Sequence, residues 1–367
     1  MVSSSFLPGR GGIESYLAEL CGALAPGVAV LAASQRDGKP LPQDLAYPTT
    51  GFKGSMLWPS KAVTEAIVRL AAEHETDRIL FGTPWPLALL GPNLSKKGLR
   101  YAVIVHGAEL LVPAALPLVR ARLRRALQGA DLLLPVSEFT ATRVGALTGD
   151  KTPPLSLLRA RVDLDRFRPD VPSTAIRKTL GLAEDARIVL CFGRLVKRKG
   201  VHRLLRAMSL IEQQVPSAVL VIAGTGPQEK RLRKLARGRS NIRFAGRVSN
   251  DDAPGLFAAA DVFALPVADR WFGLEIEGLG VVLLEAAACA TPCVTGRSGG
   301  TPEAVLDGET GFVVDATVET QLADAITRLL QDPAGSERMG ALGRVHVERS
   351  FSRTALAPKF LEWLDYS

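Results

Sequence analysis

The sequence predicts an α/β chain of two doubly wound, Rossmann-like units with a cleft between them. Three observations carry this expectation. The chain has 367 residues, enough for two domains at roughly 100–200 residues each. Short β-branched or leucine-rich runs alternate with helical periods, the rhythm of a parallel sheet with helices on both faces. That rhythm stops at the polar, proline-bearing segment Arg166-Phe167-Arg168-Pro169-Asp170-Val171-Pro172-Ser173 and then restarts.

In the first half, Val28 to Leu31, Arg78 to Phe81, Ala102 to Val105 and Asp131 to Pro135 read as buried strands. Helical patterns separate them at Gly12 to Leu24, Ser60 to Glu73, Leu116 to Gln128 and Ser137 to Leu147. In the second half the strand candidates are Ile188 to Phe192, Val219 to Ala223, Ile242 to Phe244, Val262 to Leu265 and Phe312 to Val314. Helical stretches Val201 to Ile211, Gln228 to Ala236 and Val281 to Cys289 fall between them. The expected division is residues 1–168, residues 174–350, and a C-terminal helix in 351–367 that packs back toward the first domain. Before the loop Gly9-Arg10-Gly11-Gly12 only Phe6 and Leu7 count as apolar, so either the first strand is very short or the sequence starts late.

A 47% hydrophobic and 22% charged composition excludes collagen, coiled coil and disorder. Lysine and arginine outnumber aspartate and glutamate 45 to 37, a net charge of +8 that favours an anionic partner: a nucleotide, a nucleic acid or an acidic membrane face. The four cysteines form no CxxC pair and sit mostly in apolar stretches, as in a reduced, cytosolic protein. No secretory signal is visible, and no apolar run approaches the ~18 residues of a membrane span. Leu116, Val119, Leu123 and Leu127 form one helical stripe with Arg120, Arg122, Arg124 and Arg125 alongside, a pattern that suits peripheral contact with anionic lipid.

Doubly wound sheets bind ligands outside the carboxyl ends of their strands. There the sequence offers several candidates. The loop Gly9-Arg10-Gly11-Gly12 opens a helix, where glycines let backbone N–H groups approach an anion; a plain tight turn fits it equally well. His106 follows a buried strand and can hydrogen-bond a sugar hydroxyl or move a proton, or can be a satisfied structural histidine. Gly193-Arg194-Leu195-Val196-Lys197-Arg198-Lys199-Gly200 joins a strand to a helix, and its cations plus the helix dipole suit a diphosphate. Glu277, in a glycine loop, and Glu285, in the following helix, can line one pocket, and carboxylates accept hydrogen bonds from sugar diols. Asp163-Leu164-Asp165 could be taken for a metal-binding pair, but no other ligand cluster accompanies it. Nucleic-acid binding needs stacking aromatics, and the basic loop has only Phe192 behind it.

These motifs occur in one order, with Gly224-Thr225-Gly226-Pro227 and Ser298-Gly299-Gly300-Thr301-Pro302-Glu303 among them. From about Phe6 to Phe360 the chain resembles retaining glycosyltransferases of the GT-B fold, the nucleotide-sugar group with an E-x7-E motif. A narrower likeness, in residues 8–17, 277–286 and 296–303, is to actinobacterial phosphatidylinositol mannoside α-mannosyltransferases, which use GDP-mannose. The resemblance implies that Arg194 and Lys199, facing the cleft beside Gly193, hold the donor diphosphate and neutralise the leaving nucleotide without a metal. It implies that Glu285 binds the ribose and Glu277 the transferred hexose, with the Leu279, Gly280 and Val281 backbone near the donor. Gly246 and Val248 would contact the base, His106 would meet the hexose from the other domain, and Gly11 and Gly12 would approach the diphosphate or acceptor. A front-face route, in which the departing phosphate helps deprotonate the acceptor, needs no enzyme nucleophile. The expected partners are a nucleotide sugar, a lipid or glycan acceptor and the inner face of the plasma membrane. A UDP-sugar transferase with another acceptor, or an epimerase of the same fold, are the alternatives. The chain departs from these relatives in lacking a full first strand, in Glu14 where glutamine is frequent, and in Arg159-Ala160-Arg161 where a proline-glycine turn is usual.

Overall fold

The computed structural model describes residues 1–9, 11–36, 38–352 and 357–364. Arg10 of the first glycine loop and part of the expected C-terminal helix region lie outside them. The chain divides into two compact units, Met1–Arg161 with Leu356–Ser367, and Val162–Ala355.

The first unit is built on a parallel sheet ordered Thr49–Phe52, Val30–Ala33, Val2, Arg78–Phe81, Arg100–Val105 and Leu132–Pro135. The short first strand is therefore a single residue. Val2 donates to the Leu80 carbonyl (2.8 Å) and accepts from Gly82 (3.0 Å), while Leu31 donates to Met1 and Ser3 donates to Leu31 on its other side. One buried residue whose N–H and C=O are both paired suffices to join two half-sheets. Counted along the chain, the order is 3-2-1-4-5-6, the doubly wound order with its reversal between Val2 and Arg78–Phe81. Thr49–Phe52 was not expected as a strand, because its Thr-Thr-Gly-Phe sequence carries little apolar signal.

The core of this unit joins Leu31, Phe81, Val103 and Leu133 of the sheet to Ile67, Leu123 and Leu127 of its helices. That corrects the amphipathic stripe expected on helix Pro117–Gln128. Leu123 and Leu127 are fully buried and Val119 is half-buried, whereas Leu116 and Leu118 are exposed, as is Val112 just before them. Arg120, Arg122, Arg124 and Arg125 are all exposed. Helix Pro358–Trp363 belongs to this unit, with the Arg78 guanidinium over the Trp363 ring at 5.9 Å. Among the described residues no helix is long and apolar enough to cross a membrane.

The second unit repeats the plan. Its six parallel strands are ordered Ile242–Gly246, Ala218–Ala223, Arg187–Phe192, Val262–Leu265, Cys293–Gly296 and Gly311–Val314, again 3-2-1-4-5-6. Cys293–Gly296 escaped the sequence reading because it is four residues long and ends in threonine and glycine. Both units use the same strand clamp. Asp131 accepts from the Tyr101 N–H and the Arg100 guanidinium, and Asp261 accepts from the Ile188 N–H and the Arg187 guanidinium. The second unit begins at Val162, earlier than the polar segment Arg166–Ser173, because that segment is packed. Val162 donates to Phe351, and the buried Phe167 ring meets Phe257 edge-on at 6.0 Å. Asp163, weighed as a metal ligand, accepts from the N–H groups of Asp165 and Arg166 and shapes the turn there.

Candidate active site

In the second unit the sheet order reverses between Arg187–Phe192 and Val262–Leu265, so a ligand crevice is expected outside the carboxyl ends of those two strands. The loops that leave them meet at that point. The first runs from Gly193 through the short turn Lys197–Lys199 to Gly200, the cap of helix Val201–Gln214. Gly200 has φ +69°, and a Cβ there would stand 1.9 Å from the Pro266 carbonyl of the second loop, so only glycine allows the approach. Ala268 donates to the Arg198 carbonyl at 3.2 Å and ties the loops further.

The approach brings three charges together. Lys199 Nζ lies 2.9 Å from Glu277 Oε2, and Arg198 Nε lies 3.3 Å from the same oxygen. Glu277 is buried at 8% exposure. Burial alone would push its carboxyl up, but Lys199 and Arg198 together outweigh that and hold it below the ordinary carboxylate range. Its backbone is held as firmly as its side chain. The Glu277 N–H donates to Ser298 Oγ (3.1 Å), whose hydroxyl donates to Asp269 Oδ1 (2.6 Å). Gly300 donates to the Glu277 carbonyl, and a Cβ on Gly299 (φ +54°) would lie 1.9 Å from it.

Three glycines line the ends of adjacent strands. Gly193 donates to Ala223, and Gly224 donates to Gly246 at 2.6 Å. A Cβ on Gly224 would strike the Gly193 carbonyl at 2.0 Å, whereas nothing lies within 4 Å of one on Gly193 or Gly246. Those two backbones are thus open to a ligand. Val248 follows, half-buried. Leu279 is buried, Gly280 caps helix Val281–Ala288 at φ +84°, and Glu285 sits half-buried on its second turn. Arg194 is exposed. Lys199, by contrast, is only 12% exposed and already committed to Glu277, so its role includes holding that carboxylate.

Of the residues expected at the site, the structure brings Lys199 and Glu277 into contact and sets Gly193 and Gly246 at the carboxyl ends of strands in one sheet. The sequence reading missed Arg198 as a partner of Glu277, and Asp269 and Ser298 as its backbone support. The run Ser298-Gly299-Gly300 directly after a strand was the available signal.

The first unit has its own reversal point, and His106 and the glycine loop lie there. His106 follows strand Arg100–Val105 and is buried at 8% exposure. Its Nε2 is 3.0 Å from the Gly82 carbonyl, which can only accept, so Nε2 carries the proton. Burial lowers its pKa, against opposing pulls from Glu109, the Gly82 bond and Glu14, so the ring is neutral with Nδ1 as its acceptor. Tyr16 packs edge-on at 5.1 Å. The N–H groups of His106 and Gly107 both donate to Glu109 Oε1, at 2.6 and 2.8 Å. Gly11 caps helix Gly12–Leu24, and a Cβ on it would meet Glu14 Oε2 at 2.3 Å; Gly12 is open. The buried Glu14 pairs with Arg36 at 3.1 Å.

Comparison with known proteins follows the same lines. Residues 172–346 match the family model "Glycosyl transferases group 1", and residues 10–166 match "Glycosyltransferase Family 4". The chain is 38% identical over 99% of its length, and 97% of the relative's, to the GDP-mannose-dependent alpha-(1-6)-phosphatidylinositol monomannoside mannosyltransferase of Mycobacterium tuberculosis. It is 36% identical over 96% of its length, and 93% of the relative's, to the corresponding enzyme of Corynebacterium glutamicum, named for a monoacylated acceptor. Among solved structures it resembles HepE of Anabaena in complex with UDP, with a TM-score of 0.82, 22% identity and coverage of 99% and 98% of the two chains. It also resembles WaaG, a glycosyltransferase of lipopolysaccharide biosynthesis, at a TM-score of 0.72, 18% identity and coverage of 100% and 99%. These structural likenesses establish the GT-B fold.

Proposed function

The chain belongs to the glycosyltransferase family that these two models describe, and from that premise we propose that it transfers mannose, with retention, from GDP-mannose to a phosphatidylinositol mannoside-type lipid. The observation that carries the donor and acceptor assignment is the near-full-length identity to mannosyltransferases named for both. The site supports the chemistry. Lys199 directly precedes the cap of helix Val201–Gln214, where the dipole adds to its charge as the diphosphate departs, and the exposed Arg194 follows strand Arg187–Phe192 in the same loop. The ionised Glu277 accepts hydrogen bonds from hexose hydroxyls, and Lys199 bridges the two, one cation reporting to both sugar and phosphate. Glu285 binds the ribose, and the open Gly193 and Gly246 backbones let the nucleotide approach. His106, with its Nε2 proton given to Gly82, keeps only the Nδ1 lone pair for a ligand and carries no charge. No enzyme nucleophile is assigned and no metal is invoked, because the cations and the helix terminus supply the charge.

The acceptor reading places the enzyme at a membrane face, in the cytoplasm. In the first unit the exposed Val112, Leu116 and Leu118 and the four exposed arginines of helix Pro117–Gln128 supply an apolar and basic surface for anionic lipid. Donor choice is tested by thermal shift with a nucleotide panel. GDP is expected to raise Tm more than UDP or ADP at equal concentration, as ligand binding to the native state requires. A larger rise with UDP would instead favour a UDP-sugar donor.

A further inference from the structure

The loop between strand Val262–Leu265 and Glu277 carries a feature that the transfer reaction does not use. Trp271 and Phe272 are consecutive, and both have left-handed backbone, at φ +51° and +56°, followed by Gly273 at φ +82°. Two bulky residues in that region are uncommon and are held only by surrounding structure. Burial does not account for them, since Trp271 is 59% exposed and Phe272 fully so, at 109%.

The base of the tip is tied by bonds within the loop. Arg270 and Glu275 exchange backbone hydrogen bonds, at 3.0 and 3.2 Å, and their side chains pair at 2.6 Å. Gly273 donates to Arg270 and Leu274 to Trp271, each at 3.2 Å. The Arg270 guanidinium lies over the Trp271 ring at 4.9 Å. Trp and Phe are the side chains that settle at a membrane interface. Arginines of helix Val201–Gln214 lie near Arg270 of the tip, the exposed Arg206 among them paired with Glu319 at 2.9 Å. Arg203 is drawn below its ordinary range by burial first, then by the like charges of Arg206 and Arg270, against Asp315 and Glu319. Arg206 and Arg203 share helix Val201–Gln214 with His202, which is surrounded by Arg203, Arg206, Arg231 and Lys197. Aromatic tip and cationic surround together match an anionic lipid surface in charge and in polarity.

We propose that Trp271 and Phe272 form an insertion tip by which the second unit seats in the headgroup region of an anionic bilayer. The tip lies five residues before Glu277 in the same unit. The inference shares the membrane-facing reading above but not its surface, helix Pro117–Gln128 of the first unit.

The test uses the full chain and vesicles of phosphatidylcholine and phosphatidylglycerol with brominated acyl chains, at low salt and at 1 M salt, where screening falls to about 3 Å. Trp271→Ala/Phe272→Ala is expected to lower partitioning at high salt by roughly tenfold to a hundredfold, the scale of two lost apolar side chains. Trp271→Phe is expected to keep partitioning and lose the bromine quenching of tryptophan fluorescence. An unchanged GDP-induced rise in Tm shows that each variant is folded. Quenching in Trp271→Phe equal to wild type, or high-salt partitioning unaffected by the double substitution, overturns the proposal. Arg124→Glu/Arg125→Glu separates the two surfaces. Loss of low-salt binding there with an inert tip leaves the helix surface standing alone, and the converse leaves the tip alone.

Discussion

Burial pushes the Glu277 carboxyl up, and Lys199 and Arg198 are the reason that it lies below its ordinary range instead. A buried carboxylate is costly unless paired, so its partners are structural as well as chemical. This separates the two cations that the sequence treated alike. Arg194→Ala removes an exposed guanidinium, and is expected to leave unfolding stability within about 0.5 kcal/mol of wild type while lowering transfer by about one to two decades, the loss of one charge-assisted contact. Lys199→Ala should show the same kinetic loss and also a fall in stability, smaller than the roughly 3–5 kcal/mol of a fully broken buried pair because Arg198 remains. Chemical denaturation beside donor turnover in both variants checks this. Equal stability in the two would mean that Lys199 does not hold Glu277.

At the scale of elements, the strands and helices were legible wherever apolar periodicity was long. Helix Gly12–Leu24 and strands Arg78–Phe81 and Val262–Leu265 have the very bounds that periodicity predicts. The losses were short elements whose identity is tertiary. Val2 is a strand only because Leu31 and Phe81 flank it, and Thr49–Phe52 only because Val30–Ala33 pairs with it. At the site, residue types at strand ends pointed to the sheet edge where Lys199 and Glu277 meet, while the second partner of Glu277 and its backbone support came from loop contacts across 21 residues or more. The stripe on helix Pro117–Gln128 failed for the same reason, since periodicity marks an apolar face but not whether sheet or solvent covers it. One loop contact makes a sharp test. Gly299→Ala places a Cβ against the Glu277 carbonyl in a left-handed conformation, a strain of roughly 1–2 kcal/mol before the clash. It is expected to lower Tm by several degrees, at roughly 2–4 °C per kcal/mol, and to cost turnover at least about tenfold through misplacement of Glu277. Unimpaired turnover in that variant would remove Glu277 from the reaction.

At the scale of the molecule, two copies of one doubly wound plan each place their informative residues where the strand order reverses, His106 and the Gly11 loop in one unit, Lys199 and Glu277 in the other. The whole chain also has a predictable response to acid. Burial, then the cations Arg203, Arg206, Arg231 and Lys197, bring the His202 pKa down to about 4, and burial lowers that of His106. Both rings bind fewer protons folded than unfolded, so stability present above about pH 6.5 is lost as pH falls from there toward 4. Glu277, also depressed, adds its loss below the ordinary carboxylate range. Scanning calorimetry should show a Tm that begins to fall near pH 6.5, with a shallower slope in His202→Asn; a Tm constant down to pH 4.5 would refute the assignment. The central claim is metal-free mannosyl transfer from GDP-mannose to a lipid acceptor, and its most direct measurement is radiolabelled transfer to phosphatidylinositol mannoside in excess chelator. The account predicts an α-linked mannolipid from GDP-mannose and none from UDP-glucose. It is contradicted by activity that vanishes with chelator and returns with magnesium or manganese, or by a lipid product formed from UDP-glucose and not from GDP-mannose.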